Sequence, residues 1–274
     1  MDRQDLTEVA VVIVNYKMKE FVREALSSLF ADVAHAPFTV KVVVVDNGSA
    51  DAIGEMVAAE FPQAVFLQNG RNLGYGAAVN NGIRAVQANY YFVLNPDTRL
   101  REPRVVERLR EFMEENPKAG MCAPRQHNFD GSLQETCYRF HTFWTPPFRR
   151  TRLGQLAAGK HELDRFLMRD WDHGKRRLVE WVLGSAMFVR ARAIHEVGLM
   201  DERFFLYFED TDWCRRFWEG GWPVYYVSDV VLEHAHRRTS AKSSVWRGVF
   251  MNSSTRYHVA SWIQYLGKYG LSRF

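Results

Sequence analysis

Several clusters in this sequence combine residue types that do chemistry. Glu209-Asp210-Thr211-Asp212 places three carboxylates in four residues, directly after the aromatic run Phe204-Phe205-Leu206-Tyr207-Phe208. Such an apolar approach buries carboxyl groups and raises their pKa, which suits one member of the cluster to act as a general base. Acidic decoration of a helix N-terminus is the competing explanation. Asp97, in Asn95-Pro96-Asp97-Thr98, follows a buried apolar run and sits beside a stiffening proline. A hard oxygen ligand there suits Mg2+ or Mn2+ held against a diphosphate. One carboxylate is a weak cation site, so a second ligand is required. His234 and His236, alternating on or just after a predicted strand (VVLEHAH) and so sharing a face, are the candidates.

Two further clusters are suited to binding. Asp46-Asn47-Gly48-Ser49 reads as a tight turn into a helix, with Ser49 as its N-cap. In Gln68 to Gly76 (QNGRNLGYG), Gly74 and Gly76 remove steric obstruction before a helix and Arg71 adds charge, so backbone N–H groups there can approach a phosphate. Val79 occupies the third glycine place of a dinucleotide fingerprint, which argues against a Rossmann dehydrogenase.

The elements that must position these groups alternate short β-branched runs with amphipathic helices, the pattern of an α/β domain with a mostly parallel sheet. Strands are expected at 9–15, 40–45, 65–68, 90–94, 120–123 and 224–227, and an extended run over 181–189. Helices are expected at 18–30, 50–61, 76–88, 103–116 and 191–197, with another starting near Asp210. In this arrangement Asn15-Tyr16, Asp46 to Ser49, Gln68 to Gly76 and Asn95 to Thr98 all follow strands, at the sheet edge where ligands of such folds bind.

With 274 residues, 47% apolar and 25% charged, the chain can bury a large core, and disorder, collagen and coiled coil are excluded. The first residues lack a signal-peptide pattern and no apolar run is long enough to span a bilayer, so a cytosolic protein is expected. Cys122, Cys137 and Cys214 read as free thiols. The net charge of +4 is unevenly spread. Ten Lys or Arg against four acids fall between Arg139 and Arg177, and seven against none between His234 and Phe274, so the rest is acidic. Two basic, aromatic-rich segments suggest an anionic partner such as phospholipid or lipid pyrophosphate. A nucleic-acid binder would leave the acidic cluster without a use, so none is expected. The first segment reads as a mobile insertion within a domain spanning 1–236, and 237–274 as an amphipathic helical extension that meets a membrane, packs on the domain or forms a homodimer.

Taken together, the motifs resemble the inverting glycosyltransferases of family 2, and their bacterial rhamnosyltransferase branch in particular. The resemblance rests on VVIVNY (11–16), VVVDNGS (43–49), RNLGYGAAVNNGI (71–83), LNPDT (94–98), GSAMFVR (184–190), GLMDERFFLYFEDTDWCRR (198–216) and the terminal His motif. It implies a GT-A fold, a Rossmann-like and mostly parallel sheet flanked by helices, and a divalent cation, Mg2+ or Mn2+. It also implies that Asp46, with Asn47 and the backbone near Asn15 and Tyr16, holds a pyrimidine base. Arg71, Asn72, Gly74 and Asn95 would line the nucleoside and phosphates, and Gly184 and Ser185 would border the donor sugar. Asp97 and His234, or His236, would bind the metal. Asp210 would be the catalytic base, with Glu209 near the sugar or acceptor. The implied donor is dTDP-L-rhamnose first and a UDP-sugar second. The implied acceptor is a saccharide, expected to be carried on polyprenyl pyrophosphate at the inner face of the cytoplasmic membrane. A nucleotide-binding protein of the same fold without catalysis is the alternative.

Overall fold

The computed structural model describes residues 7–235 and 253–270. Its first half alternates as expected: β1 (Thr7–Asn15), α1 (Lys19–Val33), β2 (Val40–Asp46), α2 (Ile53–Glu60), β3 (Val65–Gln68), α3 (Tyr75–Ala85), β4 (Ala88–Leu94), the short β5 (Thr98–Arg99) and α4 (Val105–Glu115). There follow β6 (Met121–His127), β7 (Cys137–Tyr138), α5 (Thr145–Arg150), a 3₁₀ turn at Arg152–Gln155, α6 (Ala157–Phe166), β8 (Arg177–Leu178), β9 (Trp181–Val182) and β10 (Ala186–Arg190). The described chain closes with α7 (Ala191–Val197), α8 (Glu209–Glu219), β11 (Val224–His234) and α9 (Ser253–Tyr269).

The central sheet runs β3-β2-β1-β4-β10-β6-β11-β5, with β8 beside β11. Pairing is parallel from β3 to β4, antiparallel on both sides of β10, and parallel again between β6 and β11. Strands buried on both faces explain the unbroken β-branched runs. In β1, Val12 and Val14 enter one core with Val43, Val45 and Val93, while Val11 and Ile13 enter the opposite core with Val42, Val44 and Phe92. This period of two gives each face its own layer of helices. The parallel register sets Asn15 beside Asp46 and Asp46 beside Gln68, so the polar strand ends line one edge.

Three expectations are corrected. Ser49 does not cap a helix: α2 starts later, behind Ala52, and the Ser49 hydroxyl bonds the Asp46 carboxylate instead. The extended run 181–189 is broken at Leu183-Gly184-Ser185, because β9 pairs with β7 in a separate two-stranded sheet while β10 enters the main one. The strand expected at 224–227 continues to His234 after a register shift between Val227 and Val231. The basic segment 139–177, expected as a mobile insertion, contains α5, the 3₁₀ turn and α6. It is anchored by Phe166, which is fully buried and stacks on Tyr138 at 5.1 Å.

Candidate active site

Asn15 and Asp46 end neighbouring strands, and the register that pairs them places both side chains, fully buried, in one network. Asn15 Nδ2 donates to Asp46 Oδ1 at 3.0 Å, to the Ser49 hydroxyl at 2.6 Å and to the Asp51 carboxylate at 3.2 Å. Asp46 also accepts the Ser49 backbone N–H at 3.3 Å and the Ser49 hydroxyl. A carboxylate offers about four acceptor positions, so Asp46 retains capacity for one more donor.

Asn47 governs the next loop. Its Oδ1 accepts from Leu73 N–H and Asn69 Nδ2, both at 3.0 Å, and its Nδ2 donates to Asn72 Oδ1 at 2.9 Å and the Gly74 carbonyl at 3.1 Å. Two glycines make the close approach possible. At Gly48 (φ +76°) a Cβ would lie 2.7 Å from the Arg71 backbone, and at Gly74 (φ +91°) 2.5 Å from the Phe205 carbonyl. The same Phe205 carbonyl accepts Tyr75 N–H at 2.9 Å, which joins the polar loop to the aromatic run before α8.

That run brings the acids in under strain. Tyr207 and Phe208 both have φ of +69°, a left-handed conformation that costs non-glycine residues about 1 kcal/mol or more each. Glu209 and Asp210 follow at the first turn of α8, both buried. Asp210 accepts Gly184 N–H at 2.9 Å and Thr211 N–H at 2.7 Å. Burial raises its pKa, and these hydrogen bonds oppose the rise. Glu209 Oε2 is buried without a hydrogen-bond partner. Burial and then the Asp210 charge hold the Glu209 carboxyl well above the usual carboxylate range. Gly184 is held from its other side by the Tyr75 hydroxyl, which donates to its carbonyl at 2.7 Å. Burial, followed by the negative potential of Glu209, Asp210 and Asp97, keeps that phenol protonated. Tyr75 therefore stands among all three acids.

Asp97 meets His234 through the sheet. β5 pairs with the end of β11, with Thr98 opposite His234, and His234 Nε2 lies 3.3 Å from Asp97 Oδ1. Gln134 orients the ring. Its amide nitrogen donates to the His234 carbonyl and to Asn128 Oδ1, both at 2.6 Å, which leaves its oxygen to accept from His234 Nδ1 at 3.0 Å. This amide assignment puts the proton on Nδ1 and turns the Nε2 lone pair toward the Asp97 carboxylate. Two facing acceptors call for a shared proton or a cation. Among the described residues no group of three His, Cys, Asp or Glu is arranged to hold a metal ion, and the Asp97–His234 pair brings two candidate ligands together. Mg2+ is commonly bound by one or two carboxylates completed by substrate phosphates; Asp97 supplies one such carboxylate, and the His234 imidazole is a less usual ligand for so hard a cation.

The sequence-derived candidates thus fall into two joined groups. Asn15, Asp46, Asn47, Asn72 and Gly74 form the first, and Gly184, Glu209 and Asp210 the second. Asn95 and Ser185 bridge toward Asp97: Asn95 N–H donates to the Ser185 carbonyl at 2.8 Å, and the Ser185 hydroxyl donates to Gln126 Oε1 at 2.8 Å. Tyr16 and Arg71 stand exposed outside these networks, Arg71 contributing its backbone beneath Gly48. His236 lies outside the described residues. Asp51, Tyr75 and Gln134 were not singled out from the sequence. Tyr75 sat between two glycines that drew the attention, and nothing local marks Gln134, which lies 100 positions before its partner His234.

The fold matches solved glycosyltransferases. A mannosyltransferase from Pyrobaculum calidifontis, in complex with GDP-Man and Mn2+, aligns with a TM-score of 0.58 at 14% identity over 88% of this chain. Staphylococcus aureus TarS 1–349 in complex with UDP aligns at 0.56 and 14% over 83%. The chain spans 60% of each of these structures. These likenesses define the architecture as that of the GT-A glycosyltransferases. The family model "Glycosyl transferase family 2" matches residues 10–167, and the chain belongs to that family. Over 251 residues it is 30% identical to the N-acetylglucosaminyl-diphospho-decaprenol L-rhamnosyltransferase of Mycobacterium tuberculosis, covering 84% of this chain and 76% of that protein. It is 22% identical to rhamnosyltransferase WbbL of Escherichia coli, over 95% and 93% of the two chains. The protein is a glycosyltransferase.

Proposed function

We propose that this protein transfers L-rhamnose from dTDP-L-rhamnose to a hydroxyl of a saccharide carried on polyprenyl diphosphate, with inversion at the anomeric carbon, in bacterial surface polysaccharide synthesis. The relatives named as rhamnosyltransferases, aligned over most of the chain, support the donor sugar and the lipid-linked acceptor. The observation that carries the chemistry is the buried Glu209–Asp210 pair, one member of which has a buried oxygen with no partner.

In this reading Asp46 accepts a hydrogen bond from the pyrimidine base through its remaining acceptor position. The loop held by Asn47 presents Asn72, Gly74 and the N-terminus of α3 to the diphosphate, with Arg71 at the rim. Gly184 and Ser185, held in place by Tyr75, Asn95 and Gln126, border the sugar. Asp210, fixed by Gly184 N–H, removes the acceptor proton, and Glu209 contacts the acceptor or sugar hydroxyls. Asp97 and His234 would hold Mg2+ or Mn2+, which when bound would neutralise charge on the departing diphosphate. No covalent intermediate is required.

Among the described residues no helix is long and apolar enough to cross a membrane. In this reading the protein reaches its acceptor from the cytoplasmic face, peripherally. The decisive experiment incubates the purified protein with dTDP-L-rhamnose, UDP-glucose, UDP-N-acetylglucosamine or GDP-mannose and a synthetic GlcNAc-diphospho-polyprenol, and reads products by mass. Addition of a deoxyhexose from dTDP-L-rhamnose alone supports the proposal. Transfer only from a UDP-sugar replaces the donor, and no transfer from any donor removes the lipid-linked acceptor.

A further inference from the structure

The two basic, aromatic segments have different fates in the fold. α9 packs its aromatic residues on the domain: Tyr265 is buried 5.3 Å from Phe208, Trp262 lies 5.7 Å from Phe143, and Tyr257, itself exposed, packs 4.6 Å from Phe205. Of its two cations, Arg256 is exposed and Lys268 is paired, bonding Asp212 at 2.6 Å and Asp201 at 2.8 Å.

The hairpin of α5, the 3₁₀ turn and α6 does the reverse. Trp144 is 55% and Leu156 59% exposed, and Phe143 and Leu153 are exposed beside them. The rings form one continuous ridge, with Phe143 to Trp144 at 5.1 Å and Trp144 to Phe148 at 5.8 Å. The hairpin is tightly closed. At Gly154 a Cβ would lie 2.3 Å from the Phe148 carbonyl, and at Gly159 one would lie 2.4 Å from the Leu153 carbonyl. From Phe143 to His161 the chain carries Arg149, Arg150, Arg152 and Lys160 and no acid. Exposed Trp and Leu on a tightly closed hairpin, with Arg149 over the Phe166 ring and cations that form no ion pair among the described residues, match a headgroup interface: the apolar tips reach the acyl boundary and the cations meet lipid phosphates. A protein partner needs no such excess of cations.

We propose that the 143–160 hairpin is a docking surface for an anionic phospholipid bilayer, with Trp144, Leu153 and Leu156 entering the headgroup region. His141, two residues before the ridge, lies 4.8 Å from Phe208, the residue preceding Glu209. Docking there sets the bilayer on the side of the catalytic acids. The choice of a bilayer rests on the lipid-linked acceptor proposed above.

Flotation of the full chain with phosphatidylcholine vesicles, with and without phosphatidylglycerol, tests the proposal. Binding is expected only with phosphatidylglycerol and falls as salt rises. The triple variant W144S/L153S/L156S should weaken it at least about tenfold, whereas I263S, at an exposed position on α9, should leave it unchanged. Transfer to a water-soluble, short-chain acceptor should survive in the triple variant, which shows that the variant is folded. Absence of binding to anionic vesicles, equal binding by the triple variant, or a concentration-dependent dimer abolished by the same substitutions each overturns the proposal. Failure of the acceptor reading is separate: it appears as no transfer to either acceptor while vesicle binding persists.

Discussion

The carboxylates at the two ends of the site are treated in opposite ways. Asp46, at the end of β2, is surrounded by donors: Asn15, the Ser49 N–H and the Ser49 hydroxyl. Glu209 and Asp210, at the start of α8, are buried as deeply, yet they sit side by side, and Glu209 Oε2 has no partner. The first arrangement lowers the energy of the folded loop and makes a rigid binding edge. The second leaves charge under-satisfied in an apolar setting, which costs stability and produces a carboxylate eager for a proton. Binding surfaces are preorganised by satisfying their polar groups, whereas Asp210 is kept basic by burial, against the opposing Gly184 and Thr211 N–H bonds, beside a Glu209 whose oxygen is left without a partner.

The contrast is sharpest in the response to substitution. Asp210→Asn, which keeps shape and removes the base, should lower the transfer rate about a thousandfold while leaving nucleotide affinity nearly unchanged, as measured by initial rates and calorimetry. Equal rates would move the base elsewhere. Asp97→Ala should cost about a hundredfold in rate and weaken the dependence on added Mn2+, read by metal titration of the activity. On the binding side, Asn47→Ala strands the Leu73 N–H, Asn69 and Asn72 groups that Asn47 pairs, and should cost about 3 kcal/mol of unfolding free energy in urea together with a raised donor KM.

The smallest effect has the opposite sign. Glu209→Gln removes a buried carboxyl that lacks a partner and should stabilise the fold by about 1 kcal/mol at neutral pH while reducing activity. Because the folded pKa of the Glu209–Asp210 pair is raised, the native state holds protons that the unfolded chain releases. Wild-type stability therefore falls as pH rises from the ordinary carboxylate range through the raised pKa, and the gain from Glu209→Gln grows over the same interval. Activity should fall in the other direction, as pH drops through that raised value and Asp210 takes up its proton. Melting curves and rate profiles across pH check both signs, and a stability gain independent of pH would break the contrast.

Local pattern revealed the β-branched strands because burial on both faces leaves no polar interruptions, and it revealed α7 because a single amphipathic turn pattern ends at Gly198. It misjudged Ser49, whose side chain had two local uses, an N-cap or a bond to Asp46. The nearby Asn15, 34 positions earlier, joins the second network. It also ran β9 and β10 together, because Leu183-Gly184-Ser185 bears no strong breaker and the change of sheet depends on β7. The two basic segments carry similar net charge, +6 and +7, and both are rich in aromatic residues. Packing separated them, since α9 found the Phe204 to Phe208 run to cover while the 143–160 hairpin left its apolar ridge outside.

The sequence by itself determined the α/β alternation, the polar strand ends and the chemical types of the site residues, because hydrophobic period and turn chemistry are local properties of the chain. Tertiary structure alone decided which of them meet. The β5–β11 pairing carries Asp97 to His234, Gln134 sets the tautomer from a hundred residues away, and Gly184 reaches Asp210 only because the chain changes sheets between β9 and β10. Those contacts depend on strand order and register, which are set by the packing of the whole core and not by any neighbour in sequence.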